Sequence, residues 1–234
     1  MDSRIGLNDS ISADKLNYRI DNLTYSQSML SCFKRSKAEF VDKYIRNIFW
    51  SDDSERDREY EKNMSYGRDF HKMCHRVFTG IPEVDTSSPA RSEEMRRIYA
   101  IKNQYINLYG ESNVEFCPEY SIELYNLRLQ VTLDLLVKIY EDGKLSKIFI
   151  WDWKVEESII TLEKALKRMQ TAVYMYVCKE TIGKELNYED IVMYYYQPKK
   201  NKNTKLVYSE KQHKKYEKEI IDTMEEIKNL KTAE

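Results

Sequence analysis

The chain has 234 residues, of which 41% are hydrophobic and 33% charged, and its formal net charge at pH 7 is −1. This length suits a single domain with additions rather than two independent domains. A protein whose whole surface attracts nucleic acid is often basic. The near-zero charge therefore excludes a uniformly basic surface and restricts any such attraction to a local patch.

The cysteines and the N-terminal sequence indicate the compartment. Four cysteines are widely spaced, with no C-x-x-C pair, at Cys32, Cys74, Cys117 and Cys178. This spacing argues against a zinc ribbon and against a disulfide scaffold. The first twenty residues lack the apolar core of a signal peptide, and no run approaches the ~18 apolar residues of a membrane span. We therefore expect a cytoplasmic protein that does not enter a membrane.

The first part of the chain is predicted to be helical after a polar tail. Residues 1–22 are polar and lack periodicity, which is typical of a tail or a loosely packed arm. From Thr24 to Phe49 apolar residues recur at near-helical spacing, and Ser26 or Ser28 can cap this helix.

Two more helices follow before the pattern changes. The charged stretch 52–62 leads into a helix with one apolar stripe, and Gly80-Ile81-Pro82 breaks it. Residues 84–90 are rich in Ser, Pro and Asp, which predicts a loop. A third helix is predicted over 92–109, ending at Gly110.

Strand-like patterns begin near Val114. Along Arg128–Tyr140 every odd position from 129 onward is apolar and the even positions are mixed, which marks a strand with one apolar face. Asp142-Gly143 predicts a hairpin turn. Residues 145–155 are apolar on both faces as far as Asp152, which is typical of a central strand.

The last third of the chain alternates between helix and strand. An amphipathic helix is predicted over 159–182, short strands over 191–196 and 205–208, and a terminal helix over 210–230. This order predicts an α/β fold with a central mixed sheet flanked by helices and an N-terminal helical elaboration. We expect one domain over residues 23–234, with a helical part at 23–110 and the α/β core at 111–234.

Two carboxylates and a lysine are predicted to meet at one edge of this sheet. Asp152 and Lys154 are two residues apart on a strand and project from the same face, while Asp134 lies on the mixed face of the neighbouring strand. Carboxylate oxygens suit hard cations such as Mg²⁺ or Mn²⁺. Such a metal would lower the pKa of a bound water and neutralise charge on a reacting phosphate, and Lys154 would orient or activate the attacking water.

Each of these signals has a structural alternative. Asp134 by itself could be a hydrogen-bonded strand carboxylate, and Asp-x-Lys tripeptides are common. The combination is more specific, because burying two carboxylates and a lysine beside the apolar run Ile148–Trp151 costs several kcal/mol unless they are paired or bind a metal.

The arrangement resembles the PD-(D/E)xK nuclease superfamily, specifically its RecB-like branch. The motifs of that branch follow one another as S-x-S on an N-terminal helix, G-x-x-x-H, a Glu, a strand Asp, D-x-K and Q-x-x-x-Y. The chain has candidates in the same order: Ser26-Gln27-Ser28, Gly67 to His71, Glu119, Thr132-Leu133-Asp134, Asp152-Trp153-Lys154, and Gln170 to Tyr174. The correspondence runs from about residue 24 to the end and implies a restriction-endonuclease-like core.

The resemblance also implies a set of metal ligands. Together with the backbone carbonyl of Trp153, the side chains that would bind the metal are those of His71, Asp134 and Asp152. Lys154 would be the lysine that activates water. His71 lies on an apolar helical stripe, where a lone histidine is often a core residue, and His75 on the next turn is the competing ligand.

Three further matched positions have less specific roles. The resemblance places Glu119 around the ligands or beside a second ion, and Glu123 is an alternative for this role. Gln170 and Tyr174 lie on one helical face, where they would contact the substrate backbone or support Lys154. They could equally be ordinary boundary residues of the helix.

The sequence departs from the RecB-like pattern in two places. Thr132 stands where the family commonly has a glycine, two residues before the strand aspartate. Many RecB-like nucleases, including the CRISPR-associated adaptation nucleases, bind an iron–sulfur cluster through four cysteines. Here Ser36-Lys37 occupies the position of the expected Cys-Pro, and no cysteine cluster follows Cys178. Because such a cluster needs thiolates, none is expected.

Basic residues in the C-terminal half are candidates for contact with substrate. Lys199 and Lys200 lie in the turn between the last two strands, and Lys167 lies on the predicted helix after the D-x-K motif; a solvated charged surface is the alternative explanation. The sequence thus predicts a metal-dependent nuclease acting on DNA, with target choice supplied by nucleic-acid structure or by a protein partner. An inactive relative that keeps the fold and binds nucleic acid or a partner protein is the alternative.

Overall fold

The computed structural model describes residues 12–48, 55–82 and 89–230. The helices in chain order are α1 (Ala13–Asp21), α2 (Gln27–Arg35), α3 (Lys37–Phe40), α4 (Glu55–Thr79), α5 (Pro89–Tyr109), α6 (Leu162–Leu166), α7 (Met169–Glu180) and α8 (Glu210–Lys228). A π-helical turn, Val41–Arg46, continues α3. The strands are β1 (Tyr25–Ser26), β2 (Val114–Leu124), β3 (Leu129–Glu141), β4 (Lys144–Trp153), β5 (Ile191–Gln197) and β6 (Lys202–Val207).

Part of the predicted N-terminal tail is a packed helix. Ile20 of α1 is buried, and the guanidinium of Arg19 donates a hydrogen bond of 2.5 Å to the backbone carbonyl of Ile45. Residues 13–21, for which a tail or a loosely packed arm was expected, therefore form a helix whose Leu16 and Ile20 pack against the core. Residues 1–11 lie outside the described residues.

The helix predicted over 24–49 is divided into several pieces. Ser26 caps α2 by accepting a hydrogen bond from the backbone N–H of Met29, and Ser36 then caps α3. Such serine caps satisfy N–H groups at the first turn that have no partner inside the helix. Most of the loop predicted at 84–90 falls outside the described residues, and Pro89 already begins α5.

Six strands form one mixed sheet. β2, β3, β4, β5 and β6 are neighbours in that order, with β4 and β5 parallel and the other pairs antiparallel. β1 pairs in parallel with the first two residues of β3. The Asp142-Gly143 turn has positive φ at both residues, as a type I′ hairpin requires.

Helices cover both faces of the sheet, and each face has its own core. On one face α4 and α5 pack against Phe149, Trp151 and Trp153 of β4. On the other face α2, α7 and α8 pack against Ile148 and Ile150. β4 is therefore buried on both faces, as its continuous apolar run predicts. The predicted α/β fold, with a mixed sheet flanked by helices, is confirmed. None of the described helices is long and apolar enough to span a membrane.

The amphipathic helix predicted over 159–182 is two helices. Arg168, between α6 and α7, has extended backbone torsions, and its guanidinium donates two hydrogen bonds of 2.6 Å to the carboxylate of Glu156. The Thr171 hydroxyl also donates to the carbonyl of Ala165 across the break. α7 is buried on most sides, so it passes through the core rather than along its surface.

Candidate metal centre

The candidate centre lies where β3 and β4 separate. Leu135 and Trp151 form the last pair between these strands. Beyond that pair Asp152 and Trp153 remain paired only with β5, while β3 continues beside β2. The separation leaves a gap in the sheet, and it brings Asp134 of β3 to face the end of β4.

The side chain of Asp134 provides a hydrogen-bond acceptor where the pairing between β3 and β4 has ended. Its Oδ2 accepts a hydrogen bond of 2.8 Å from the backbone N–H of Trp153, which no longer faces a carbonyl of β3. Its Oδ1 lies 3.5 Å from Nδ1 of His71. Burial and then the charge of Asp152 raise the pKa of Asp134 well above its usual value. A carboxylate in this position is therefore costly to keep ionised unless a cation joins it.

Asp152 is the most buried acidic residue of the centre, with 1% of its surface exposed. Its Oδ1 accepts a hydrogen bond of 2.6 Å from the side-chain amide of Gln170. Its Oδ2 lies 2.6 Å from Nζ of Lys154 in an ion pair. Within the described part of the chain, this buried Oδ2 has no aligned hydrogen bond.

Lys154 follows β4 directly and is held on the same side as Asp152. Its backbone N–H donates a hydrogen bond of 2.8 Å to the carbonyl of Tyr196 in β5. Burial works against its charge, but the carboxylates of Asp152 and Asp134 outweigh burial and raise the pKa of the ammonium. Lys154 therefore carries its proton and can donate hydrogen bonds to an oxygen that enters the centre.

His71 reaches the centre from α4. Its Nε2 lies 3.2 Å from the backbone carbonyl oxygen of Trp153, and burial lowers the pKa of its imidazole. Gly67, one turn earlier, is the point of close approach: a Cβ there would lie 3.4 Å from Cγ2 of Val155. His75, one turn later, lines a cavity with His71, but His71 is the histidine that contacts Asp134.

The donors and acceptors of the centre suit a divalent cation. A neutral imidazole has only one N–H, yet His71 faces two acceptors, a carboxylate oxygen of Asp134 and the carbonyl of Trp153. The carboxylate of Asp152 adds further oxygens to the centre, and its Oδ2 lies 2.6 Å from Nζ of Lys154. Ligand atoms of His71, Glu119 and Asp134 also lie within 4.8 Å of one another. An excess of oxygen acceptors around one imidazole fits Mg²⁺ or Mn²⁺.

Glu119 of β2 lies opposite Asp134 and has an unusual backbone conformation. Its neighbours Pro118 and Tyr120 pair with Leu135 and Leu133, so Glu119 stands opposite Asp134, but these two residues do not form a ladder pair. Its φ of 51° is in the left-handed region, which is strained for a residue with a side chain and often occurs at functional sites.

The strand register favours Glu119 over Glu123 for a role at the centre. Glu123 pairs with Gln130, which is four residues along β3 from Asp134 and hence about 13 Å away at the usual rise of a strand. Glu119 is exposed at the rim of the centre and also lines the cavity that His71 and His75 share.

Gln170 and Tyr174 lie behind the carboxylates. The amide of Gln170 donates to Asp152 and also, at 3.0 Å, to the hydroxyl of Tyr174. That hydroxyl donates in turn to the backbone carbonyl of Thr132, at 3.0 Å. Tyr174 is buried; it links α7 to β3 and supports Gln170, and its contact with substrate stays a prediction.

The basic residues predicted to contact substrate are paired with nearby glutamates. Nζ of Lys199 lies 2.9 Å and that of Lys200 lies 3.9 Å from the carboxylate of Glu157. Lys167 forms an exposed ion pair of 2.6 Å with Glu163. A cleft opens beside Lys154, and of these three lysines only Lys167 lines it.

The structure brings other basic residues to that cleft. Lys34 and Arg35 of α2 and Lys43 of the π-helical turn line it together with Lys154. Sequence reasoning missed them because more than a hundred residues separate them from the D-x-K motif, and no local pattern relates the two segments. The four cysteines are free thiols in α2, α4, β2 and α7.

These observations define a class of protein: an α/β domain with a cluster of acidic residues and a lysine where two strands separate. The sequence matches the PD-(D/E)XK nuclease superfamily over residues 24–233, and the chain belongs to that superfamily. Its members are generally nucleases, which supports a hydrolase and contact with nucleic acid.

Other comparisons add little to this assignment. A search of curated proteins finds no match. Among solved structures, the crystal structure of SSO0001 is similar over 91% of this chain and 82% of that chain, with 9% sequence identity and a TM-score of 0.35. A likeness this weak supports no conclusion about fold or activity.

Proposed function

We propose that the protein is a metal-dependent nuclease that hydrolyses phosphodiester bonds of DNA with an activated water. The observation that carries the proposal is that Asp134, Asp152, Lys154 and His71 meet where β3 and β4 separate, with His71 beside Asp134 and Lys154 paired with Asp152. Membership of the PD-(D/E)XK superfamily supports it. The choice of DNA, the RecB-like branch, the absence of an iron–sulfur cluster and the preference for Mg²⁺ or Mn²⁺ are parts of the proposal.

The residues that would hold the metal are those around the strand gap. They are the side chains of His71, Asp134 and Asp152 and the backbone carbonyl of Trp153. When bound there, the metal would supply a lowered pKa for a bound water and positive charge beside the phosphate. One hydrogen bond orients each carboxylate, from the backbone N–H of Trp153 to Asp134 and from the amide of Gln170 to Asp152.

Lys154 would act on the reacting oxygens as a hydrogen-bond donor. Its ammonium is held beside Asp152 and keeps its proton. We assign it to orient the attacking water and to stabilise negative charge that develops on the phosphate. Glu119, at the rim, would support the attacking water or a second ion through its carboxylate.

The direct test is cleavage of DNA by Asp152→Ala and Lys154→Ala in Mg²⁺ or Mn²⁺. Each substitution should lower the rate by about a hundredfold or more, because each removes a charge that acts on the transition state. Asp222→Ala and Lys218→Ala are matched controls, because this exposed ion pair of 2.7 Å lies on α8. These controls should cut at the wild-type rate.

Cutting at the wild-type rate by both Asp152→Ala and Lys154→Ala would overturn the proposal. Binding of nucleic acid without any cutting by the intact chain would instead favour the inactive relative. Calorimetry with Mn²⁺ separates these outcomes further, since an inactive relative without a metal site should give no binding heat.

A further inference from the structure

A basic cleft opens beside the candidate metal centre. Its volume is about 680 Å³. One wall is formed by α2 and the π-helical turn, and the other by the corner between α6 and α7. We call it the α2 cleft. The basic residues that line it are Lys34, Arg35, Lys43, Lys154, Lys167 and Arg168, and the acidic ones are Glu156 and Glu219.

The charge of the α2 cleft is opposite to that of the whole chain. Six cations and two carboxylates line it, whereas the formal net charge of the protein is −1. A cleft with an excess of one sign of charge concentrates counter-ions of the other sign. The cleft therefore attracts polyanions, although the protein as a whole carries no net positive charge that would do so.

Several of these cations can exchange their present partners for phosphates. Lys43 lies over the ring of Tyr44, 5.4 Å from its centroid, and no carboxylate of the described residues is within ion-pair distance of it. Arg35 pairs with Glu39 in an exposed ion pair, and such pairs contribute little to stability. Arg168 differs, because two hydrogen bonds to Glu156 fix its guanidinium.

Neutral polar groups and one aromatic ring complete the lining. Gln27, Ser28 and Ser31 of α2 face the cleft, and Tyr44 lines it beside Lys43. The first two belong to the S-x-S motif, whose other serine caps α2. A basic groove with amide and hydroxyl groups and an aromatic ring is a common arrangement for binding one nucleic-acid strand.

We propose that the α2 cleft binds the sugar–phosphate backbone of a single nucleic-acid strand next to the bond that is cut. The inference rests on the proposed function, because Lys154 and Gln170 line the cleft and also contact Asp152. Its volume is in the range of cavities for small ligands, about 300–1,000 Å³. A cavity of this size accommodates a short length of one strand.

The test measures binding without cutting. A labelled oligothymidine is titrated with the full chain in EDTA over a series of salt concentrations, and fluorescence anisotropy gives the Kd. The double variant Lys43→Gln with Arg35→Gln should raise the Kd several-fold and reduce the slope of log K against log salt by about 1.4, or about 0.7 per phosphate contact. Lys144→Gln with Lys184→Gln is the matched control, because both residues are exposed and lie outside the cleft.

The outcomes separate this inference from the proposed function. Equal losses in both double variants, an unchanged slope in the cleft variant, or a blunt duplex that binds as tightly as the single strand would overturn the α2 cleft as a single-strand site. If binding depends on the cleft but the wild-type chain does not cut in Mn²⁺, the inference stands and the proposed nuclease activity fails. Equal melting temperatures of the two double variants would show that loss of binding is not loss of folding.

Discussion

At the scale of single residues, the centre consists of polar groups whose partners come from other strands and helices. Asp134 accepts the N–H that a strand carbonyl would otherwise take. Gln170 satisfies one oxygen of Asp152 and leaves the other beside Lys154. These hydrogen bonds fix each carboxylate through one oxygen and leave the other oxygen beside His71 or Lys154.

We expect Asp134→Asn to stabilise the metal-free protein. Burial and the charge of Asp152 raise the pKa of Asp134 above the ordinary value of 3.8, so the folded state binds this proton more tightly than the unfolded chain. Above that ordinary pKa the folded state therefore holds more protons, and stability falls as pH rises. The amide oxygen of the variant can still accept the N–H of Trp153.

Urea denaturation in EDTA, from mildly acidic to mildly alkaline pH, measures this effect. The variant should be more stable at the alkaline end by on the order of 1 kcal/mol, and its stability should fall less with pH. A variant that is less stable than the wild type throughout this range would contradict the prediction.

Gln170→Leu should weaken the centre without touching a ligand. The substitution leaves Oδ1 of Asp152 without its hydrogen bond of 2.6 Å. Loss of such a supporting partner typically lowers metal affinity or activity by about 10- to 100-fold. Calorimetry with Mn²⁺ and the cleavage rate measure it. Tyr174→Phe is the comparison, since it keeps the bond between Gln170 and Asp152 and should have a smaller effect.

At the scale of elements, local patterns predicted strands better than helix ends. The alternation along 129–139 is confirmed, because all its odd positions are buried in β3. The prediction of one long helix over 159–182 is wrong at its middle. There α6 ends, and the guanidinium of Arg168 donates two hydrogen bonds to Glu156. That contact joins a residue before α6 to a residue after it, and helical periodicity carries no information about it.

Gly67 tests how closely α4 must approach β4. Gly67→Ala should raise the melting temperature, because alanine favours the helix interior by up to about 1 kcal/mol and its Cβ would meet Val155 at an ordinary contact distance of 3.4 Å. This variant should cut DNA normally. Gly67→Val adds branches that push α4 away and displace His71, so it should lower the rate at saturating DNA. Loss of cutting in the alanine variant would contradict this explanation.

At the scale of the whole molecule, the core of the candidate centre could be predicted and its surroundings could not. Asp134, Asp152 and Lys154 meet because a hairpin and a period of two place them together. Lys43 lines the same cleft as Lys154 because α2 and its neighbours pack against α7, whereas Lys199 pairs with Glu157. These contacts depend on how elements distant in sequence pack, which no local spacing reveals.

Metal binding should stabilise the whole domain, because the proposed ligands come from α4, β3 and β4 and are together only in the folded state. At a Mn²⁺ concentration of about a hundred times the Kd, the gain should be about 2.7 kcal/mol, seen as a higher melting temperature that EDTA reverses. Asp152→Ala should remove this increase. Lys154→Met should retain it while cutting is lost, since it removes the ammonium that lies beside Asp152.

The parallel pairing of β4 with β5 has a consequence for synthesis of the protein. Lys154 is held by the carbonyl of Tyr196, so the strand that orients it leaves the ribosome after all the proposed ligands have been made. A growing chain that ends before β5 has the acidic residues but not the scaffold that aligns them. Since domains generally fold as units, the proposed cutting should begin only after β5 has been made, which would spare nearby nucleic acid from chains that end before this strand.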